Sequence, residues 1–276
     1  MSDGEGARPP DARATPGART AAAAETRSSA LLRSHGFLHA FSTRRGGASA
    51  APFDTLNFGR AVGDAAAAVA ENHARLARSV GYAVERLFET SQVHGVGVHV
   101  LEAGASVELT RKLEADALLA RTSGDAVGVR TADCVPVLVG DPETGAALAV
   151  HAGWRGVAAR IVPLAIARMV EVTGAPAVRL VCAIGPHIRA RAFEVGDDVA
   201  AQIAASSEQG VVVRAPDQRP HVDLARAVRV QLAEIGVENG RIDDVGGCAH
   251  DEPGLYFSFR RDGARSGRML SVIVAR

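Results

Sequence analysis

Hydrophobic positions along this chain follow two rhythms. Across 64–80, Ala, Val and Leu recur at helical spacing and the pattern ends at Gly81, which predicts a helix with a glycine C-cap. The same rhythm predicts helices over 157–172, 196–205 and 223–235. Elsewhere the apolar residues form short runs bounded by Gly, Asp and Pro, the signal of strands. Such runs lie at 36–41, 87–93, 97–101, 115–119, 126–129, 135–139, 146–150, 179–184, 255–259 and 269–274. Strands and helices interleave, with a dense block of strands in the middle. That predicts one α/β domain, a mixed sheet with flanking helices.

The first 30 residues break this pattern. They are rich in Ala, Arg, Gly, Pro and Ser and carry almost no large apolar side chain. Such a segment buries too little surface to offset its ordering entropy, so 1–30 is expected to be a disordered tail and 31–276 the folded domain. Its acids Asp3, Glu5, Asp11 and Glu25 argue against an organellar transit peptide.

Composition narrows the class. Of 276 residues, 47% are hydrophobic, enough for a substantial core. Formal net charge is zero, and the arginines are scattered among acids, so neither nucleic acid nor a membrane is an expected partner. Lys112 is the single lysine, a compositional bias. The three cysteines, Cys134, Cys182 and Cys248, are odd in number and widely spaced, which suits a reducing compartment better than a disulfide framework. No run approaches the ~20 apolar residues of a membrane span. The expected location is cytoplasmic.

Candidate chemistry concentrates at His94, Cys134 and His151, which lie 40 and 17 residues apart. Two imidazoles and a thiolate suit Zn²⁺, and three protein ligands leave an open position, the catalytic pattern. Each falls beside the end of an expected strand, and neighbouring strand ends share one rim of a sheet. Their ligand atoms should then lie within roughly 4 Å of one another. Taken singly, Cys134 also reads as a small buried hydrophobe, and each histidine as a hydrogen-bonded surface residue. Asp133 beside Cys134 is placed to orient a ligand or handle a proton. Arg155, in His151-Ala152-Gly153-Trp154-Arg155-Gly156, is a candidate phosphate ligand at the mouth of a helix. Trp154 as plain core with Arg155 as a surface ion pair stays open beside it. Arg44, Arg260 and Arg261 sit in glycine-containing loops and are further anion candidates. Phosphate-loop, His-Glu-x-x-His, Cys-x-x-Cys and Gly-x-Ser-x-Gly motifs are absent. None of the nine histidines forms a His-x-His pair, which disfavours a copper oxidase; Cu²⁺ remains the less favoured metal.

Ser91-Gln92-Val93-His94, Thr131-Ala132-Asp133-Cys134 and His151 through Gly156 together resemble the hallmarks of the YfiH/laccase-domain family. Its members are also called multicopper polyphenol oxidoreductases, purine nucleoside phosphorylases and peptidoglycan editing factors. Phe41 through Gly47, Leu56-Asn57-Phe58-Gly59, Ala115 through Leu118, Ile184-Gly185-Pro186, Phe193 through Gly196, Tyr256 through Gly263 and Gly267-Arg268-Met269 extend the resemblance over about 36–276. It implies a single-domain fold related to cysteine-dependent toxin deamidases, and zinc held by His94, Cys134 and His151. It implies phosphorolysis of adenosine, inosine, guanosine and methylthioadenosine, with adenosine deaminase activity. Catalytic roles then fall to Asp133, Cys134 and His151. Substrate and phosphate contacts fall to Arg44, Asn57, Gln92, Arg155, Arg260 and Arg261. Two alternatives remain. One is a metal-free amide hydrolase that edits peptidoglycan precursors, with Cys134 as nucleophile and His151 as base. The other is a closed, structural metal site with Asp133 or His187 as fourth ligand.

Overall fold

A computed structural model describes residues 1, 23–216 and 218–276. The strands in chain order are β1 (Thr26–Arg27), β2 (His39–Ser42), β3 (Leu87–Phe88), β4 (Val98–Val100), β5 (Ala117–Ala120), β6 (Ala126–Thr131) and β7 (Val135–Gly140). They continue with β8 (Ala147–Ala152), β9 (Val181–Ile184), β10 (Val212–Val213), β11 (His221–Val222), β12 (Ile242–Asp244) and β13 (Met269–Val274). The helices are α1 (Ala30–Ser34), α2 (Ala66–Val80), α3 (Val107–Thr110), α4 (Trp154–Ala158), α5 (Ile161–Thr173), α6 (Asp197–Ser206), α7 (Leu224–Glu234) and α8 (Phe259–Asp262).

Two mixed sheets replace the one that was expected. A five-stranded sheet runs β1-β2-β13-β6-β3, and a six-stranded sheet runs β12-β9-β7-β8-β5-β4. β10 and β11 form a small separate ribbon. The sheets stack face to face, with Phe37, Phe41, Leu118, Val127, Val129, Leu138 and Ile273 between them. Behind the five-stranded sheet, Leu76 of α2 packs with Leu56, Phe58, Leu270, Val272 and Val274. Behind the six-stranded sheet, Ile161, Ile166 and Met169 of α5 pack with Ile203 of α6, Val228 and Leu232 of α7, and Val135, Val137, Leu148 and Val150. The order is therefore helix, sheet, sheet, helices. Central strands are covered on both faces, which is why β7, β8 and β13 read as unbroken apolar runs rather than alternating ones.

The sheets approach closely because small residues face the interlayer. Ala120, Ala147, Ala149 and Ala183 all lie in that layer. At Gly185 a Cβ would overlap the Phe41 ring.

Four expectations change. Residues 2–22 lie outside the described residues, but the expected tail ends earlier than residue 30. Thr26 and Arg27 pair with Ser42 and Phe41 as β1, and the Ser29 hydroxyl accepts from Leu32 N to cap α1. An unpaired strand edge recruits backbone, whatever the side chains are. Second, the helix expected over 157–172 breaks, and Arg160 takes a left-handed φ of 64°. Its guanidinium donates to Ser206 O at 2.7 Å and Glu234 Oε2 at 2.6 Å, and the Val157 carbonyl accepts from both Arg160 N at 3.0 Å and Gln231 Nε2 at 2.9 Å. Pro163 then sits in the first turn of α5, where a missing N–H costs nothing. Third, 255–259 is not a strand. Tyr256 and Phe257 are buried side chains of a loop, and Ser258 caps α8 by accepting from Arg261 N. Fourth, the strand expected over 87–93 stops at Phe88, and the chain leaves the sheet toward the cleft described below. Helix α2 ends as expected, with Gly81 left-handed at φ 95°.

Overpacking a core costs about 1–3 kcal/mol. Gly185→Ala, which must push back the Phe41 ring, is expected to lose that much in urea unfolding with the denaturant slope unchanged. An unaltered midpoint would show that the two sheets are not in rigid contact there.

Candidate active site

The site is built by strand register. β7 and β8 form a hairpin in which Val135 faces Ala152 and Pro136 faces His151. Cys134, just before β7, is thereby carried to the His151 end of β8. β5 pairs with β8 on its other side, with Ala117 opposite Val150, so Asp116 also reaches His151. The spacing of 17 residues between Cys134 and His151 is the two arms and turn of one hairpin. His94 arrives on a loop of its own.

The ligand atoms of His94, Cys134 and His151 all lie within 4.8 Å of one another. His94 is exposed, Cys134 half-buried and His151 buried. The imidazoles meet edge to face, with centroids 4.8 Å apart. Tetrahedral bonds of 2.0–2.3 Å put ligand atoms about 3.5 Å apart, so the trio is slightly more open than a loaded site and of the right chemistry for a metal. Gly153 completes the cradle: a Cβ there would lie 2.9 Å from His94 Cδ2 and 3.1 Å from Cys134 Sγ. Neither Asp133 nor His187 joins the cluster, so the fourth ligand of the closed-site alternative is missing among the described residues. His187 is buried elsewhere, with its Nδ1 on Gly185 O and its Nε2 without a partner. Cys182 and Cys248 are free and buried.

Asp116, fully buried, ties the trio together. Its Oδ1 lies 2.7 Å from His151 Nδ1. The same carboxylate accepts from the backbone N–H of Val93 (3.2 Å), His94 (3.0 Å) and Gly95 (2.7 Å). His94 has a left-handed φ of 59°, a conformation costly for a side-chain-bearing residue, and these bonds hold it there. Burial would raise the Asp116 carboxyl, but the His151 bond and the loop amides bring it below its ordinary value. A carboxylate on Nδ1 directs Nε2 toward the cluster and strengthens it as a ligand.

Charge at the trio is shared between partners. Burial opposes ionisation of Cys134, yet His151 and His94 pull its thiol down to about 6. Burial likewise opposes a charged His151, yet Cys134 and Asp116 raise it to about 9. Each partner thus favours the charged form of the other, the thiolate of Cys134 and the imidazolium of His151. Asp133, also left-handed at φ 96°, is raised by burial against the opposing pull of Ser258 and Arg260. Its Oδ2 accepts from Arg260 N at 2.6 Å, while its Oδ1 is buried without a partner.

The trio opens into a cleft of about 680 Å³. Of the residues expected to contact substrate, Gln92, Arg155 and Arg260 line it, as does Asp133. Gln92 is spent on structure: its amide donates to Arg130 O and accepts from Arg130 N, each at 2.8 Å. Arg155 lies over the Trp154 ring, 4.5 Å from its centroid. Arg260 donates to Glu194 O at 2.8 Å and covers Phe193. Three others fall outside the lining. Arg44 is held by the carbonyls of Asp54 and Pro253, and Arg261 by those of Ala249, His250 and Tyr256. Asn57 is fully buried and accepts from Gly59 N and Arg268 N, both at 2.8 Å, so it shapes a wall without facing the cleft.

Sequence reasoning missed Asp116 as a site residue, although an acid inside the apolar run of 115–119 is itself a signal: buried carboxylates need partners. It also missed Arg60, Arg111, Arg130 and Arg268, which line the cleft from loops and strand ends with no shared motif. Glu89 underlies two of them. It is 1% exposed and accepts from Arg130 at 2.6 Å and Arg60 at 3.0 Å, with His73 Nε2 3.2 Å away.

Stacked mixed sheets between helices, with a His₂Cys trio at the end of a central hairpin, define a metal-competent α/β enzyme architecture. A family model described as multi-copper polyphenol oxidoreductase laccase matches residues 38–276, and the chain belongs to that family. It is 41% identical over 235 residues to a purine nucleoside phosphorylase of Deinococcus radiodurans, covering 85% of this chain and 88% of the relative. The crystal structure of YlmD from Geobacillus stearothermophilus superposes with a TM-score of 0.82 at 30% identity, covering 90% of this chain and 94% of that one. The Bacillus licheniformis hypothetical protein YfiH superposes with a TM-score of 0.81 at 28% identity, covering 86% and 92%. Among the described residues no helix is long and apolar enough to cross a membrane.

Loss of a partner that orients a metal-binding histidine typically costs 10–100-fold in affinity. Asp116→Asn is expected to weaken metal binding by about that factor in a chelator competition, whereas Cys134→Ala abolishes it. Equal metal content in all three proteins would disprove the trio. Glu89 yields a pH prediction. Burial would raise its carboxyl, but Arg130, His73 and Arg60 hold it well below the usual range. A depressed carboxyl contributes stability that is present above its unfolded value, about 4.3, and is lost as pH falls toward the folded one. Glu89→Gln should cost about 3–5 kcal/mol at pH 7. The gap to the parent protein should narrow below about pH 4 in urea titrations.

Proposed function

We propose that this protein is a purine nucleoside phosphorylase that carries zinc at His94, Cys134 and His151. The observation that carries the reading is the 41% identity to the D. radiodurans phosphorylase across 85% of the chain. The cleft supports it: it is large enough for a nucleoside, with the trio and arginines on shared walls. Its substrates are adenosine, inosine, guanosine and methylthioadenosine, and adenosine deamination is a second activity of the same cleft.

In phosphorolysis a phosphate oxygen bonds to ribose C1′ as the bond from C1′ to N9 breaks. The electron pair leaves with the purine, and ribose 1-phosphate forms. Zinc held by His94, Cys134 and His151 would supply Lewis acidity. The chain does the remaining work. Arginines of the cleft hold the anion against the sugar, converting a bimolecular encounter into an oriented one. Asp133, which lines the cleft with its carboxyl raised by burial, is the residue that would pass a proton to the departing base. Trp154, with Arg155 stacked on it, and Phe259 also line the cleft and would offer flat apolar surface to the purine.

A second reading rests on the order Asp116, His151, Cys134, which is that of a cysteine hydrolase: thiolate, base and orienting carboxylate. On that reading the substrate is an amide of a peptidoglycan precursor. Zinc on the thiolate and nucleophilic attack by it are mutually exclusive, so metal content separates the two.

The test is metal analysis of the purified protein, with inosine and adenosine assayed with and without phosphate. One zinc per chain is expected, together with phosphate-dependent release of hypoxanthine and ribose 1-phosphate, and inosine plus ammonia from adenosine. Cys134→Ala should lose both activities with its zinc. Amide cleavage by metal-free protein, with no phosphate-dependent product from any purine nucleoside, would overturn the proposal in favour of the hydrolase.

A further inference from the structure

The arginines of the cleft differ in how much of their hydrogen-bonding capacity is already used. Arg260 and Arg268 donate to backbone carbonyls, and Arg155 is laid on Trp154. Arg111 is different. It follows α3 directly, its side chain is partly buried, and its Nε is buried with no hydrogen-bond partner among the described residues. A buried donor without an acceptor is costly unless something arrives to accept from it.

Its surroundings say what that is. Arg60 and Arg130 stand close enough to repel it, and burial together with those two cations lowers the Arg111 guanidinium from its ordinary value. The opposing charges are Glu89 and Glu108. Glu89 is already shared by Arg130, Arg60 and His73. Glu108 is exposed and pairs with Lys112 at 3.1 Å. Three guanidiniums therefore line the cleft shared by His94, Cys134 and His151, with the buried Glu89 carboxylate paired to two of them. Gathering like charges there is unfavourable in the empty site and becomes favourable when a multiply charged anion enters. Glu89 ties Arg130 and Arg60 to one carboxylate, whereas Arg111 Nε has no acceptor among the described residues.

We propose that Arg111, with Arg60 and Arg130, forms the subsite for a phosphate dianion in this cleft, and that the occupant is the free inorganic phosphate consumed in the reaction. The catalytic role of that phosphate rests on the phosphorylase reading; the binding site does not. It also moves the anion away from Arg155 and Arg260, which then serve the nucleoside side of the cleft.

The experiment measures inorganic phosphate binding to the zinc-loaded protein by calorimetry, without nucleoside, and the Michaelis constants for phosphate and inosine. Arg111→Ala is compared with Arg111→Lys, Arg60→Ala and Arg155→Ala. A charge-assisted contact corresponds to a tenfold to hundredfold effect. Arg111→Ala should therefore raise both the phosphate dissociation constant and the phosphate KM by about that factor. Its inosine KM, zinc content and melting temperature should stay near those of the parent. Arg111→Lys should recover part of the loss and Arg60→Ala should show a smaller one, so the result does not hang on one variant. Arg155→Ala should move the inosine KM instead. Unchanged phosphate binding in Arg111→Ala and Arg60→Ala overturns the assignment. So does weakened binding of inosine 5′-monophosphate with no change for free phosphate, which would make the occupant a phosphate carried on the substrate. Phosphate binding that disappears in Arg111→Ala, in a protein that phosphorolyses no nucleoside, would uphold the subsite and sink only the phosphorylase reading.

Discussion

One buried carboxylate organises this site. Asp116 meets the His151 imidazole on one side and three consecutive loop amides, Val93 to Gly95, on the other. Each contact answers a different problem. The imidazole contact fixes which ring nitrogen faces the cluster. The amide contacts hold His94 in a left-handed conformation it would otherwise avoid. Removing a carboxylate from water is expensive, and the four donors, in a region of low dielectric, repay that cost. Two metal-ligand candidates 57 residues apart in sequence are thereby referenced to one side chain at the start of a central strand.

Strand register supplies the rest of the geometry. The hairpin of β7 and β8 makes Cys134 and His151 neighbours, and a slip of one residue would send one of them to the opposite face. That register is pinned by burial on both faces of the hairpin. Gly153 lets the chain turn from β8 into α4 without filling the space the trio occupies. Preorganisation at the site thus rests on the apolar interfaces around it, and the two left-handed residues are held by hydrogen bonds, His94 N–H donating to Asp116 and Asp133 accepting from Arg260 N.

Electrostatics divides the cleft. At the trio, the Cys134 thiol and the Asp116 carboxylate flank the His151 imidazole, an excess of anionic groups suited to a cation. Arg60, Arg111 and Arg130 add positive charge to the lining, and Glu89 joins two of them. A metal-competent trio and a group of arginines thus share one cleft. Arg44 and Arg261 take no part in this because loop carbonyls already satisfy their guanidiniums. Arginine is as useful for tying loops as for binding anions, and residue type alone does not separate the two uses.

Much was legible in the chain itself. The apolar runs located most strands, Gly81 ended α2, and the flanking residues of His94, Cys134 and His151 marked them as one set, because ligand chemistry and strand ends are local properties. What required the fold was everything set by long-range pairing. Two stacked sheets look like one in a sequence, since a strand covered on both faces reads the same whichever layers cover it. β1 was invisible because an edge strand is recruited through its backbone rather than its side chains. The break at Arg160 depended on acceptors 46 and 74 residues away. Asp116 was an acid in an apolar run, legible as unusual, but only the pairing of β5 with β8 says which histidine it serves. The sequence alone thus determined which chemistry was available, because ligand type and local periodicity belong to the residues. The tertiary structure decided which arginines face the cleft and which are already satisfied, because a hydrogen-bond partner far along the chain is a property of the fold.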